Sequence, residues 1–185
     1  MTDYFAVLGM PRRPGLDEAV LQENYLRLAA AWHPDAPGGD VEKFRDLQEA
    51  RKTLLDPAAR LRHLLALEGV SGSPRSGGQP PAEFFVTVAT ALDGAKSVSA
   101  KLQLVRSGIG RAACEAERAD SIRKIATVLA DVTGRQEACR RRIADLDAVW
   151  PERDLRALEE IRGEWVFLDR WERNLRETLF QLSTY

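Results

Sequence analysis

Apolar residues recur at steps of three and four along most of this chain, the repeat of one face of an α-helix. Asp3 to Leu8 reads as one or two helical turns, with Asp3 as N-cap and Gly9 as the stop. Met10 to Gly15 holds Pro11 and Pro14 and makes a stiff connector. Asp17 and Glu18 then open a helix whose apolar face is Val20 or Leu21, Tyr25, Leu28 and Trp32. That helix must end at or before His33-Pro34-Asp35, because the proline ring disfavours helical geometry at the residue before it and removes a donor. A loop of Ala, Pro and two Gly follows. Asp40 caps a returning helix with Phe44, Leu47, Arg51 and Leu54 or Leu55 on one face. Two helices joined so briefly run antiparallel and pack together, which places His33-Pro34-Asp35 at the tip of a hairpin. Asp56-Pro57 starts a further helix through Leu61, Leu64, Leu65 and Leu67, closed by Gly69, in which Arg60 and Arg62 are expected to be solvated or ion-paired.

Residues 70–81 are dominated by Gly, Ser and Pro and read as a linker between two domains, 1–69 and 82–185. The second domain is helical throughout. Phe84, Phe85, Val88 and Leu92 begin its first helix, which can continue past Asp93-Gly94 to Lys101, Leu102 and Val105. Ser107-Gly108-Ile109-Gly110 is the preferred turn, since each glycine disfavours helix by about 1 kcal/mol, with a turn near Asp120 as the competitor. Ile122, Ile125, Leu129, Val132, Gln136, Cys139, Ile143, Leu146 and Trp150 form a coiled-coil-like seam. Trp150-Pro151 divides that helix from a last one, striped by Leu158, Ile161, Trp165, Leu168, Leu175, Leu179 and Leu182. The predicted fold class is all-α: an N-terminal helical hairpin domain followed by a C-terminal three-helix antiparallel bundle. Phe167 lies one step off the last stripe and Trp171 four residues on, so the two are neighbours on a flank. Either they offer a partner surface, or they pack against the first bundle helix.

Composition narrows the function classes. Apolar residues make up 44% of the 185, enough for a real core. The formal charge is -1, with 9 Lys/Arg against 11 Asp/Glu in residues 1–69 and 18 against 17 in the rest, so there is no phosphate-binding surface and nucleic acid is not an expected partner. Cys114 and Cys139 lie 25 apart without a CxxC or a nearby histidine, so neither a zinc site nor any other metal or cofactor is expected, and two buried thiols of a reducing cytosol are. The opening Met-Thr-Asp-Tyr-Phe lacks the basic and apolar regions of a leader, and no run approaches the roughly 18 apolar residues of a membrane span. A cytoplasmic protein without a membrane partner is expected. No catalytic residue is expected either: His33 and Asp35 resemble an acid/base pair, but His63 is the only other histidine and no nucleophile, metal set or phosphate loop accompanies them.

Taken as a set, the short Asp3-Tyr4-Phe5 helix, the long helix reaching Trp32 before His33-Pro34-Asp35 and the returning helix ending in Asp56-Pro57 resemble a J-domain. Leu8-Gly9-Met10-Pro11, Leu16-Asp17 and the 57–69 stretch PAARLRHLLALEG resemble the HscB type, the co-chaperone of iron-sulfur cluster assembly. Residues 165–171, with Leu175 and Leu179, look like the last helix of the HscB bundle. The resemblance implies that His33, Pro34 and Asp35 contact a DnaK/HscA-type heat-shock chaperone and accelerate its ATP hydrolysis, with Arg27 as the one basic position carried over on the helix before the tripeptide. The other positions of that face read Glu23, Leu26 and Ala31 where J-domains usually carry Lys or Arg, and Ala36 follows Asp35, so a weak or specialised chaperone contact is expected. It further implies a client, an iron-sulfur cluster scaffold protein, held by Phe167 and Trp171 with Phe84, Phe85 and Val88. The competing expectations are a J-domain co-chaperone for an unrelated client and a helical scaffold or oligomerising protein with a degenerate J-domain.

Overall fold

The structure is a computed structural model that describes residues 1–70, 78–105, 107–150 and 154–184. Among these every regular element is a helix: α1 (Tyr4–Val7), α2 (Glu18–Trp32), α3 (Val41–Leu55), α4 (Pro57–Leu67), α5 (Ala82–Leu104), α6 (Gly108–Ala148) and α7 (Leu155–Ser183). The described residues form two compact units, one of Met1–Gly78 with Arg140–Gly163, the other of Gln79–Cys139 with Glu164–Tyr185.

In the first unit, each of α1 to α4 is started by an aspartate. Asp3, Asp17, Asp40 and Asp56 each accept a backbone N–H of the first turn on a side-chain oxygen, which satisfies donors that the helix itself leaves unpaired. α2 and α3 return on each other, with the Arg51 guanidinium 4.7 Å over the Tyr25 ring and its Nη2 donating to Gln22 Oε1 at 3.3 Å. Their buried line is Leu21 on one side and Leu47, Ala50 and Leu54 on the other, so Leu21, not Val20, is the core position of α2. Phe5 and Leu8 of the α1 turn and Leu61, Leu64 and Leu65 of α4 close the same core.

Two side chains of α4 depart from the sequence expectation. Arg60 is buried, and its guanidinium donates from Nε to the Pro14 carbonyl at 3.1 Å and from Nη1 to the Leu54 carbonyl at 2.6 Å. It thus ties the connector to the end of α3 instead of meeting solvent, while burial lowers its pKa from the ordinary arginine value. His63, also buried, stacks on Tyr4 and Phe5 with centroids 4.6 and 5.8 Å away, and its Nε2 accepts the Tyr4 N–H at 3.0 Å. The Arg140–Gly163 part of this unit meets the connector: Arg13 donates to the Asp147 carboxylate and carbonyl at 2.7 and 2.9 Å, the Gly15 N–H donates to Asp147 Oδ1 at 2.8 Å, and Trp150 Nε1 donates to the Arg12 carbonyl at 2.8 Å.

In the second unit, α5, α6 and α7 alternate in direction. Phe84 near the start of α5 lies under Arg135 of α6, whereas Lys101 near its end bonds Glu117 at 2.7 Å. Gln136 of α6 meets Glu172 of α7 at 2.7 Å, and Arg118 donates to the Leu182 carbonyl at 2.7 Å. α5 runs through Asp93-Gly94 unbroken to Leu104 and α6 begins at Gly108, so α6 already includes Gly108 and Gly110 and passes Asp120 without a break. The buried line of α6 is Ser121, Ile125, Val128, Val132, Gln136 and Cys139, and it continues at Ile143 in the first unit. Ile125, Val132, Gln136, Cys139 and Ile143 are the expected seam positions, whereas Ser121 and Val128 are buried more deeply than the expected Ile122 and Leu129, which are half-buried one position on. Cys114 and Cys139 are free and buried. Most of the expected linker, residues 71–77, and Pro151 of the Trp150-Pro151 junction lie outside the described residues.

Candidate functional site

His33 is the C-cap of α2: its N–H still donates to the Ala29 carbonyl at 2.9 Å, but its backbone has turned extended at φ -55°, ψ 137°. Pro34 makes that turn obligatory. The loop then closes on the helix end, with Ala36 N–H on the His33 carbonyl at 2.9 Å, Gly39 N–H on that of Ala36 at 2.8 Å and Asp40 N–H on that of Trp32 at 3.1 Å. Gly38 holds a φ of 81°, in the left-handed region, and a Cβ on Gly39 would collide with the His33 carbonyl. The glycine pair is therefore part of the site, and its signal was present in the sequence as two adjacent glycines in a tight return.

The side chains of the bend are ordered by local contacts. His33 Nδ1 accepts the Asp35 N–H at 3.2 Å, and the rings of His33 and Phe44 of α3 meet edge to face with centroids 5.0 Å apart. With Nδ1 as acceptor, the neutral imidazole carries its proton on Nε2. The Asp35 carboxylate lies 3.7 Å from Nδ1, and its side chain is 91% exposed. The tip thus offers a fixed imidazole, a rigid proline and a free carboxylate side by side, with Phe44 as a wedge beneath. Among the described residues no three His, Cys, Asp or Glu converge to hold a metal. Arg27 is exposed two turns earlier on α2, where its Nη2 donates to Asn24 Oδ1 at 3.2 Å.

In the second unit the five aromatic and apolar candidates divide. Phe84, Val88 and Trp171 are buried, with only 8, 2 and 8% of their surface exposed. Phe84 meets Trp171 edge to face at 5.3 Å, and Phe85 meets both Phe167 and Trp171 at 5.1 and 4.7 Å. The pair on α7 therefore packs against the first bundle helix, as edge-to-face aromatic contacts favour. Phe85 and Phe167 keep part of their surface open, beside exposed Val86 and Val166.

Comparison with known proteins gives this geometry a class. Residues 3–63, which hold the helices that frame His33-Pro34-Asp35, match the DnaJ domain model. Within that class the chain is similar to the Co-chaperone protein HscB homolog of Chromobacterium violaceum, 35% identical over 92 residues that cover 45% of this chain and 53% of the relative. It is also similar to the Chaperone protein DnaJ of Azorhizobium caulinodans, 44% identical over 61 residues that cover 31% of this chain and 16% of that protein. The chain thus spans about half, or less, of the length of the curated relatives it matches. The fold is that of chaperone HscB from Vibrio cholerae, with a TM-score of 0.64 at 20% identity over 98% of this chain and 99% of that one. Among the described residues no helix is long and apolar enough to cross a membrane.

Proposed function

We propose that this chain is an HscB-like J-domain co-chaperone: it stimulates ATP hydrolysis by a DnaK/HscA-type heat-shock chaperone and delivers a client to it, an iron-sulfur cluster scaffold protein. The observation that carries this reading is the ordered His33-Pro34-Asp35 tip of a DnaJ domain within a chain of HscB fold. In it, residues 1–69 make the chaperone contact through His33, Pro34, Asp35 and Arg27, residues 70–81 link, and residues 82–185 hold the client. The chain makes and breaks no bonds. It shifts its partner between conformations by binding one of them better. Carrying both contacts on one molecule raises the effective concentration of client at the chaperone in the cytoplasm. Of the client-binding candidates, Phe85 and Phe167 are the accessible ones and carry the proposed client contact.

The test is the ATP turnover of the organism's DnaK-type chaperones, measured with and without this protein. Stimulation by the wild type that is lost in His33→Gln is expected; no stimulation, or equal stimulation by the variant, refutes the co-chaperone reading. Co-purification of a cluster scaffold that is lost in Phe167→Ala identifies the client, and retention of a different protein assigns the bundle to another client.

A further inference from the structure

His33, Pro34 and Asp35 are too few to hold a partner alone, since a specific protein interface buries about 800 Å² on each side. The contact must spread from the tip along α2 or α3. On the α3 side the first outward charges are already committed to neighbours: Lys43 pairs with Asp40 at 3.3 Å and Arg45 with Glu42. Covering them requires desolvating paired ions.

On the α2 side the outward stripe has a different character. Val20, Glu23, Leu26, Arg27, Ala30 and Ala31 are all exposed and, at 100° per residue, share less than half of the helix circumference with the C-cap His33. One carboxylate and one guanidinium leave the stripe without net charge. Leu26 is 57% exposed and Val20 43%, and the alanines between Leu26 and the tip make a low, smooth surface. Leu26 lies seven residues, or about 10 Å of helix rise, before His33. A partner seated on the tip with an interface of ordinary size therefore covers Leu26.

We propose that Leu26 is the apolar anchor by which this chain selects its chaperone: the exposed stripe of α2 meets an apolar patch on the partner, continuous with the His33–Asp35 contact, and charge attraction contributes little. This rests on the co-chaperone reading and names the chemistry of its partner surface. Burying a leucine on complex formation is worth about tenfold or more in affinity. A contact whose few charges, Glu23, Arg27 and Asp35, surround an apolar anchor weakens with salt less than one built on several screened ion pairs, which falls steeply.

The full-length protein is titrated into the organism's purified DnaK-type chaperone while ATP turnover is followed, at about 50 and about 500 mM salt, which spans Debye lengths from roughly 14 to 4 Å. The variants are Leu26→Asp, Leu26→Met and His33→Gln, and circular dichroism checks that each is folded. The proposal expects a half-maximal concentration that changes by less than about threefold with salt, rises about tenfold or more in Leu26→Asp and is kept in Leu26→Met. A wild-type response that collapses at high salt, or a Leu26→Asp response equal to wild type, overturns it while His33→Gln still reports on the co-chaperone reading. Failure of the wild type to stimulate any such chaperone overturns both. Sedimentation supplies one more outcome: a dimer of this chain that Leu26→Asp dissociates assigns the stripe to a second copy and overturns the proposal.

Discussion

His63 shows how a single residue can stabilise the first unit from within its core. Its Nε2 must be unprotonated to accept the Tyr4 N–H, and burial lowers its pKa below the ordinary value of a histidine. The unfolded chain therefore binds more protons than the folded one between the folded-state pKa and about 6.5. The stabilisation is complete above that upper limit and is lost as pH falls through it toward the folded-state value. Denaturant midpoints are thus expected to drop between about pH 7.5 and 5.5. The drop should shrink in His63→Gln, whose amide oxygen can accept the same hydrogen without titrating; an equal drop in that variant would assign the pH dependence elsewhere. His33, half-exposed at the tip, is held differently, by the Asp35 N–H on Nδ1 and an edge-to-face contact with Phe44.

Among the elements, α7 carries the clearest difference between a core and a surface aromatic. Trp171 is buried against Phe84 and Phe85, while Phe167, one turn earlier, is half-buried at the edge of the same cluster. Truncating Trp171 to alanine leaves a cavity and is expected to cost about 3–5 kcal/mol of unfolding free energy. Phe167→Ala should cost clearly less and leave the helical spectrum intact. Urea unfolding of both variants followed by circular dichroism decides this, and equal losses would mean that Phe167 is structural too. The periodicity of α7 placed Leu158, Ile161, Trp165, Leu168, Leu175 and Leu182 correctly in the core. It could not place Trp171, because a residue three past Leu168 on a wide apolar arc is core or flank depending on what the next helix presents, here the two phenylalanines of α5.

At the level of the whole molecule, the first compact unit is assembled from stretches distant in the chain. Asp147, which the sequence left unremarked inside a long helix, receives Arg13 and the Gly15 N–H and so fixes the connector that leads into α2. The same contact raises the Arg13 pKa, first through the hydrogen bond and then through the charge of Asp147. Asp147→Ala is expected to speed hydrogen exchange at the Gly15 amide by at least an order of magnitude while amides in the middle of α3 exchange as before. Unchanged protection at Gly15 would show that the connector holds its shape without α6. Arg60 secures the other side of the connector through the Pro14 carbonyl.

The sequence by itself determined the local elements and the site that hangs on them. Four aspartate N-caps, the glycine stops, the proline after His33 and the three-four spacing of apolar residues are short-range instructions, each read within one or two helical turns. They placed α1 to α4, the hairpin and its tip. Only the tertiary structure decided which arginine is buried, which histidine accepts a backbone N–H, that Ser121 and Val128 lie deeper in the α6 seam than Ile122 and Leu129, and which aromatics of α5 and α7 face inward. These depend on neighbours 46 to 134 residues away in the chain, for Arg60 with Pro14 and Arg13 with Asp147, where spacing along one helix carries no information. The His33-Pro34-Asp35 tip was legible because proline and glycine fix backbone geometry locally; its neighbour Leu26 became a candidate contact only when the fold left it exposed on the same face.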